Sequence, residues 1–170
     1  MPDIRLIWID PAMAAALHQG APHYEATYKV RLENSAAIMR DVISQTLAMH
    51  KAKPPAPWGG YIAVDSQTAV TIGTCAFTNA PDQNGIVEIA YFTFPEYERR
   101  GYATAMAKAL LRIAWYSPLV KEVIANTLAE PNASTRILEK VGMKWRGEVI
   151  DPVDGKIWRW GILPATPAPE

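Results

Sequence analysis

The sequence has one cysteine, no excess of charge of either sign and no long uninterrupted hydrophobic segment. A single cysteine, Cys75, cannot form a disulfide within the chain or a zinc site built from several cysteines, which fits a reducing compartment. The 17 Lys and Arg residues balance 17 Asp and Glu residues. This balance argues against a nucleic-acid-binding protein, because such proteins need surplus positive charge. No segment approaches the roughly 18 consecutive apolar residues of a membrane-spanning helix.

Several familiar functional motifs are also missing. The sequence contains no P-loop, no dinucleotide-binding glycine motif, no serine-hydrolase elbow and no zinc-protease motif. Its three histidines (His18, His23 and His50) lack the spacing of metal ligands, so we expect no metal site. Residues 1–5 lack a basic region followed by an apolar segment, so no signal peptide is expected. The neutral charge gives no reason for binding to an anionic membrane, and these features together favour a cytoplasmic protein.

The length and composition are typical of one globular domain. The chain has 170 residues, of which 49% are hydrophobic and 20% are charged, and this is too apolar for an intrinsically disordered protein. We predict a single domain over residues 1–163, because domains usually contain about 100–200 residues. Residues 164–170 are rich in proline and alanine and are expected to form a disordered tail.

Hydrophobic periodicity predicts a mixed α+β fold. Four helices are expected, over residues 11–20, 34–51, 100–117 and 132–141. Seven strands are expected, over residues 4–10, 61–64, 69–77, 86–94, 122–126, 143–150 and 156–163. The step from strand 86–94 through a helix to strand 122–126 predicts local parallel pairing. The fold is therefore predicted to be a mostly antiparallel sheet of about seven strands flanked by about four helices.

The segment Glu98–Thr104 joins a predicted strand to the start of a helix and has the features of an anion-binding site. The first-turn amides of a helix lack internal acceptors, and the helix dipole adds positive potential there. Gly101 and Ala103 leave little bulk between the backbone and an anion, and Arg99 and Arg100 add positive charge. On spacing alone, a tight helix start with two solvated arginines explains the same residues.

Two sequence blocks resemble the GNAT superfamily of N-acetyltransferases. Residues 87–97 lead into a loop whose Gly101 and Ala103 match the last two fixed positions of the family's acetyl-CoA-binding pattern, Q/R-x-x-G-x-G/A. Glu98 stands where that pattern usually has Gln or Arg. The second block is Asn126 followed by residues 132–143, which is similar to the family's Asn/Ser-containing block before a glycine. The resemblance extends over about residues 1–163 and is greatest to the ribosomal-protein N-terminal alanine/serine acetyltransferases.

This resemblance implies the GNAT acyltransferase fold, acetyl-CoA as cosubstrate, no metal, and a primary amine as acceptor. It assigns the pantetheine to the backbone of the strand around Tyr91 and the pyrophosphate to the loop before the helix predicted over residues 100–117. Asn132 is expected near the pantetheine, and Arg136 is expected either near the adenosine 3′-phosphate or in solvent. The residues that the resemblance places at acetyl-CoA are Tyr91, Phe92, Thr93, Arg99, Arg100, Gly101, Tyr102, Ala103, Thr104, Asn132 and Arg136.

Two residues are candidates for catalysis of amine attack on a thioester. Glu88 is the sole acidic residue of strand 86–94, and in the family a carboxylate there often takes the amine proton through water; the alternative is a surface glutamate. Ser134, at the start of a helix, is the candidate acid for the thiolate, because the family places a serine near the sulfur there. Its alternative role is to satisfy backbone donors of the first helical turn. No tyrosine follows Tyr116, so Ser134 or a water is expected to serve.

The acceptor and the assembly stay open at the level of sequence. A protein N-terminal α-amino group is one acceptor, and a small molecule such as an aminoglycoside, a polyamine or an amino acid is another. Glu98, at the position of the usual Gln or Arg, keeps a catalytically inactive CoA-binding module as a third interpretation. Trp58, in a loop rich in proline and glycine, fits either core packing or an acceptor pocket. Both a monomer and a homodimer are compatible with the sequence.

Overall fold

A computed structural model describes residues 1–49 and 56–165. Most of the predicted tail and the first half of the proline-rich loop, together with His50, lie outside the described residues. Within these described residues, seven strands form one sheet in the order β1-β2-β3-β4-β5-β7-β6. Their bounds are β1 Ile4–Trp8, β2 Gly60–Asp65, β3 Thr71–Phe77, β4 Ile86–Thr93, β5 Glu122–Leu128, β6 Lys144–Asp151 and β7 Gly155–Ile162.

The pairing of the strands confirms the predicted topology. Strands β4 and β5 run parallel, as the strand–helix–strand step predicted, and every other neighbouring pair is antiparallel. The helix between these two strands packs on β3 and β4. An α+β fold with a mostly antiparallel, seven-stranded sheet is therefore confirmed.

The described part of the chain contains five α-helices around the sheet, one more than the sequence predicted. They are α1 Pro11–His18, α2 Ala21–Tyr28, α3 Ala36–Met49, α4 Tyr102–Trp115 and α5 Ala133–Lys140, and a 3-10 turn covers Pro95–Tyr97. The helix absent from the prediction is α2, in which Tyr24 alone is buried. Because a helix with a single buried side chain shows no periodic apolar face, the pattern used for prediction had nothing to detect.

Local sequence signals explain where α1 and α5 begin. The side chain of Asp10 accepts a hydrogen bond from the amide of Met13 at 2.9 Å, so Asp10 is the N-cap of α1. At α5, Asn132 accepts from the amide of Thr135, and Thr135 accepts from the amide of Asn132, both at 3.0 Å. This reciprocal capping box fixes the first turn of α5 beside the end of β5.

The hydrophobic core lies between the sheet and the helices. Met106 and Leu110 of α4 are fully buried against it. Cys75 is 3% exposed, as expected for a small core residue, and burial raises the pKa of its thiol. Trp58 is buried and packs edge-on against Phe77, with ring centroids 5.0 Å apart. Of the two interpretations of Trp58, packing is the one that its position supports.

Candidate active site

Strands β4 and β5 diverge and open the sheet. Their parallel pairing covers three residue pairs and ends where Glu88 meets Ile124. Beyond that point β4 continues to Thr93, paired on its other side with β3, and β5 continues to Leu128, paired with β7. The backbone of residues 91–93 that faces β5 therefore has no strand partner in the described part of the chain. An extended polar ligand can pair with such a free strand edge.

The loop after β4 supplies a set of free backbone amides. Helix α4 begins after Gly101, which adopts φ +85° and provides no side-chain cap. Arg99 also lies in the left-handed region, at φ +64°. Within the described residues, the amides of 99–101 donate no backbone hydrogen bond, and the first-turn amides of α4 have no acceptor within the helix. These amides and the helix dipole favour an anion at this position.

The side chains of this loop differ in what they can offer an anion. Arg99, Arg100 and Gly101 are exposed, and the guanidinium of Arg100 lies over the ring of Tyr97, 5.8 Å from its centroid. The hydroxyl of Tyr102 donates to Asp65 at 2.7 Å, so this side chain is already engaged. Ala103 is half-buried and Thr104 is buried, which leaves their backbone as the available group.

Glu88 is fixed by hydrogen bonds at the point where the strands diverge. Its Oε2 accepts from the Thr78 hydroxyl at 2.8 Å, and its Oε1 accepts a short hydrogen bond from the side-chain amide of Asn126. Asn126 in turn accepts from Nε of Arg159 at 3.3 Å. Hydrogen bonds to both carboxylate oxygens hold the Glu88 side chain in one orientation.

A cleft of about 470 Å³ lies at this divergence. It brings together Glu88 and Ser134, the two candidate catalytic residues, and also includes Asn132. The residues that line it are Glu88, Asn126, Thr127, Leu128, Asn132, Ser134, Asp151, Asp154 and Ile157. Neither Arg136, which is exposed on α5, nor Phe92, which is 44% exposed on β4, belongs to this lining. The sequence did not single out Asp151 and Asp154, because their approach to the cleft depends on how the β6–β7 hairpin is placed.

Ser134 is not needed to cap α5. The capping box uses Asn132 and Thr135, so the hydroxyl of Ser134, at the second helical position, is free for another role. Burial raises the pKa of the neighbouring Tyr91 to about 12, and the proximity of Ser134 opposes that rise. Sequence reasoning used the backbone of Tyr91 alone. Tyr91 lies three residues after Glu88, so strand alternation puts the two side chains on opposite faces of β4, and this was the available signal for the side chain of Tyr91.

The described residues provide neither a metal-binding cluster nor a membrane-spanning helix. No group of three or more His, Cys, Asp or Glu side chains in 1–49 and 56–165 is arranged to hold a metal ion. Over the same residues, no helix has the length and apolar character needed to cross a bilayer.

Comparisons with known proteins agree with this geometry. The acetyltransferase (GNAT) domain matches residues 4–144. The uncharacterized N-acetyltransferase YjdG of Bacillus subtilis is 29% identical over 82 residues, which are 48% of this chain and 49% of that protein. The chain thus matches about half the length of this curated relative.

Two solved structures show the same fold. A GNAT-family acetyltransferase from Bacillus anthracis superposes with a TM-score of 0.63 at 18% identity, covering 96% of both chains. An acetyl transferase from Salmonella typhimurium, described as modifying the N-terminal serine of a 50S ribosomal subunit protein, superposes with a TM-score of 0.65 at 13% identity, covering 95% of both chains. At these identities the likeness establishes the architecture alone.

Proposed function

The chain belongs to the acetyltransferase (GNAT) family, and from this premise we propose that it transfers an acetyl group from acetyl-CoA to a primary amine. The observation that carries the proposal is the cleft at the divergence of β4 and β5. It places Glu88 and Ser134 in one cavity, beside a strand edge and a helix start that both have free backbone groups.

The free backbone groups fit the chemistry of acetyl-CoA as a substrate. The amides of residues 99–104, with Arg99 and Arg100, suit the pyrophosphate. The free edge of residues 91–93 suits the amides of pantetheine, which pair with it as an added strand would. Asn132 lies in the cleft beside this path, and Arg136, in the first turn of α5, is exposed and suits the 3′-phosphate.

Glu88 acts as the general base. The acceptor arrives as an ammonium ion, and the Glu88 carboxylate takes one proton from it through a water molecule. The neutral nitrogen then attacks the thioester carbonyl carbon, forming a C–N bond. When the C–S bond breaks, the nitrogen releases its second proton and the thiolate takes up one. The products are an amide and the CoA thiol, with one proton released to solvent.

Ser134 stabilises the leaving thiolate. Its hydroxyl lines the cleft, and the N-terminal turn of α5 adds positive potential to the same position. Tyr91, which lies near Ser134, orients this hydroxyl. The thiolate therefore receives its proton from Ser134 or from a water that Ser134 holds.

A protein N-terminal α-amino group is the first candidate acceptor. It is the group described for the Salmonella typhimurium acetyl transferase that shares this fold. A small polyamine is the second candidate, because Asp151 and Asp154 line the cleft together with Glu88. Three carboxylates against the nearby Arg159 favour an acceptor with more than one positive charge. The proposed compartment is a reducing cytoplasm, with which a single free cysteine is compatible.

The proposal is tested by calorimetric titration with acetyl-CoA, followed by measurement of CoA thiol release with peptides and polyamines as acceptors. Glu88→Gln is expected to lower kcat by about 10²–10⁴-fold without changing the Kd of acetyl-CoA. Glu139→Gln, an exposed position on α5, is the matched control and should behave as wild type. Binding without thiol release from any amine would identify an inactive CoA-binding module, and absence of binding would reject the function.

A further inference from the structure

The loop that offers its amides to the CoA phosphates lies between two tyrosines that are hydrogen-bonded to carboxylates. Tyr97, just before the loop, donates to Glu33 at 3.0 Å, and Tyr102, just after it, donates to Asp65 at 2.7 Å. We propose that these two pairs are positioning residues that set the affinity for the phosphates of CoA. The inference rests on the proposed function, since it concerns the same substrate.

The Tyr102–Asp65 pair ties the start of α4 to the end of β2. Asp65 is 7% exposed. Its Oδ1 accepts from the amides of Gln67 and Thr68, both at 2.9 Å, and from the Thr68 hydroxyl at 3.1 Å. These bonds fix the carboxylate and leave Oδ2 for the hydroxyl of Tyr102. The first residue of α4 is therefore attached to a rigid turn of the sheet.

The Tyr97–Glu33 pair ties the other end of the loop to the segment between α2 and α3. Tyr97 is 6% exposed, and Glu33 also forms an ion pair with Arg31 at 3.3 Å. The backbone of Arg31 is bonded to the sheet, donating to Ala69 at 2.8 Å and accepting from Thr71 at 2.9 Å. The ring of Tyr97 also supports the guanidinium of Arg100. This end of the loop is thus fixed through a second, separate route.

The loop needs such external support because its own backbone provides little. Arg99 and Gly101 are both in the left-handed region, and α4 has no side-chain cap. A loop without internal hydrogen bonds that is already held in its binding conformation loses less conformational freedom when phosphate binds. Releasing either end should therefore weaken phosphate binding while leaving the chemical step intact.

The test compares Tyr97→Phe, Tyr102→Phe and the double variant by calorimetric titration with CoA and by steady-state kinetics. Each single variant is expected to raise the Kd of CoA and the KM of acetyl-CoA about three- to tenfold, with kcat at saturation unchanged, which is the signature of lost uniform binding. S-acetylpantetheine, which lacks the phosphates, should be used equally well by the variants and the wild type.

Tyr61→Phe is the matched control. Tyr61 is a buried tyrosine of β2 whose hydroxyl donates to the carbonyl of Pro57 at 2.8 Å, so it also loses one hydrogen bond, but away from the loop. Its Kd for CoA should equal that of the wild type even if its Tm falls. If Tyr97→Phe and Tyr102→Phe lower the Tm like this control and leave the Kd within twofold, the pairs are merely structural and the inference is wrong.

The carboxylate partners give a second route to the same result. Glu33→Gln and Asp65→Asn keep an acceptor oxygen but lose its charge, and their Kd values should lie between those of the wild type and the phenylalanine variants. If a phenylalanine variant does not fold, these two decide the matter. A wild-type protein that does not bind CoA would refute the proposed function, whereas equal binding by wild type and all variants would refute this inference alone.

Discussion

Two constraints favour glycine at position 101: its own backbone conformation and the nearby side chain of Pro2. Its φ of +85° is in the region that side chains rarely adopt, and a Cβ there would lie 3.1 Å from Cδ of Pro2. The residue also precedes the free amides of α4. Any side chain at this position therefore strains the backbone and shifts the loop that is proposed to hold the pyrophosphate.

Gly101→Ala is expected to raise the Kd of CoA about tenfold, equivalent to ~1.4 kcal/mol, and to cost more affinity than Arg99→Ala or Arg100→Ala. Calorimetric titration of the three variants gives the ranking. Gly155→Ala is the control, because Gly155 has φ +73° with nothing within 4 Å of its Cβ position. It should lose about 1–2 kcal/mol of stability from the same backbone strain and bind CoA normally. A larger effect from either arginine would show that charge, not backbone geometry, dominates.

The proposed catalytic role of Ser134 can be tested independently of helix capping, because Asn132 and Thr135 form the cap of α5. Ser134→Ala should leave the free energy of unfolding within about 0.5 kcal/mol of the wild type and lower kcat. Thr135→Ala, which breaks the capping box, should cost about 1 kcal/mol of stability. Chemical denaturation and thiol-release kinetics measure both. A Ser134→Ala variant with normal kcat and reduced stability would return this serine to a structural role.

At the scale of elements, the turn after β2 and the start of α4 are coupled through one carboxylate. The hydrogen bond from Tyr102 is the main cause that lowers the pKa of Asp65, and backbone and Thr68 bonds add to it. A lowered pKa in the folded state means that the ionised carboxylate contributes stability above its unfolded pKa of 3.8, and that this contribution is lost as the pH falls below it.

The consequence is a pH-dependent difference between Asp65→Asn and the wild type. The variant is expected to be less stable by about 1–3 kcal/mol at pH 7. The difference should shrink as the pH falls below about 4, because Asp65 is then protonated in the unfolded chain before it is protonated in the folded protein. Urea denaturation across pH 3–7 measures it. Asp41→Asn, an exposed position on α3, should follow the wild type throughout. A difference that is constant with pH would mean that the charge of Asp65 is not what stabilises the turn.

Element prediction succeeded where a segment carries its own signal. Helix α4 has an apolar face with residues such as Met106 and Leu110 fully buried. The turn of residues 152–154 joins β6 to β7, which match the strands predicted over residues 143–150 and 156–163. Helix α2 carries no such signal, since Tyr24 is its one buried residue. It is held by packing against α1 and by the side chain of Glu25, which accepts a hydrogen bond from the amide of Leu32. Tertiary packing made this segment helical, and periodicity could not reveal it.

For the whole molecule, zero net charge means that an anionic substrate must be held by local geometry. The field of the protein at large offers no attraction, so the loop with Arg99 and Arg100 should account for the salt dependence of CoA binding. Raising the ionic strength from about 0.05 M to about 0.5 M shortens the Debye length severalfold and should raise the Kd of the wild type.

The double variant Arg99→Ala/Arg100→Ala should bind more weakly and show a much flatter dependence of Kd on salt. Arg40→Ala/Arg112→Ala removes the same charge from exposed positions on α3 and α4 and should keep the wild-type slope. Titrations at four salt concentrations compare the two. Equal slopes in the two double variants would mean that the phosphates respond to overall charge.

The sequence by itself determined the order and type of the main elements, including the helix predicted over residues 132–141, and the resemblance that proved to be the family. These depend on residues within a few positions of one another, where propensity, capping and periodicity act. That residues 1–163 form one domain stays a prediction. Only the tertiary structure decided which distant side chains come together: Tyr91 near Ser134, Tyr102 bonded to Asp65, and the hairpin aspartates in one cleft with Glu88. Such contacts depend on strand register and on the paths of the connections, which no local pattern specifies.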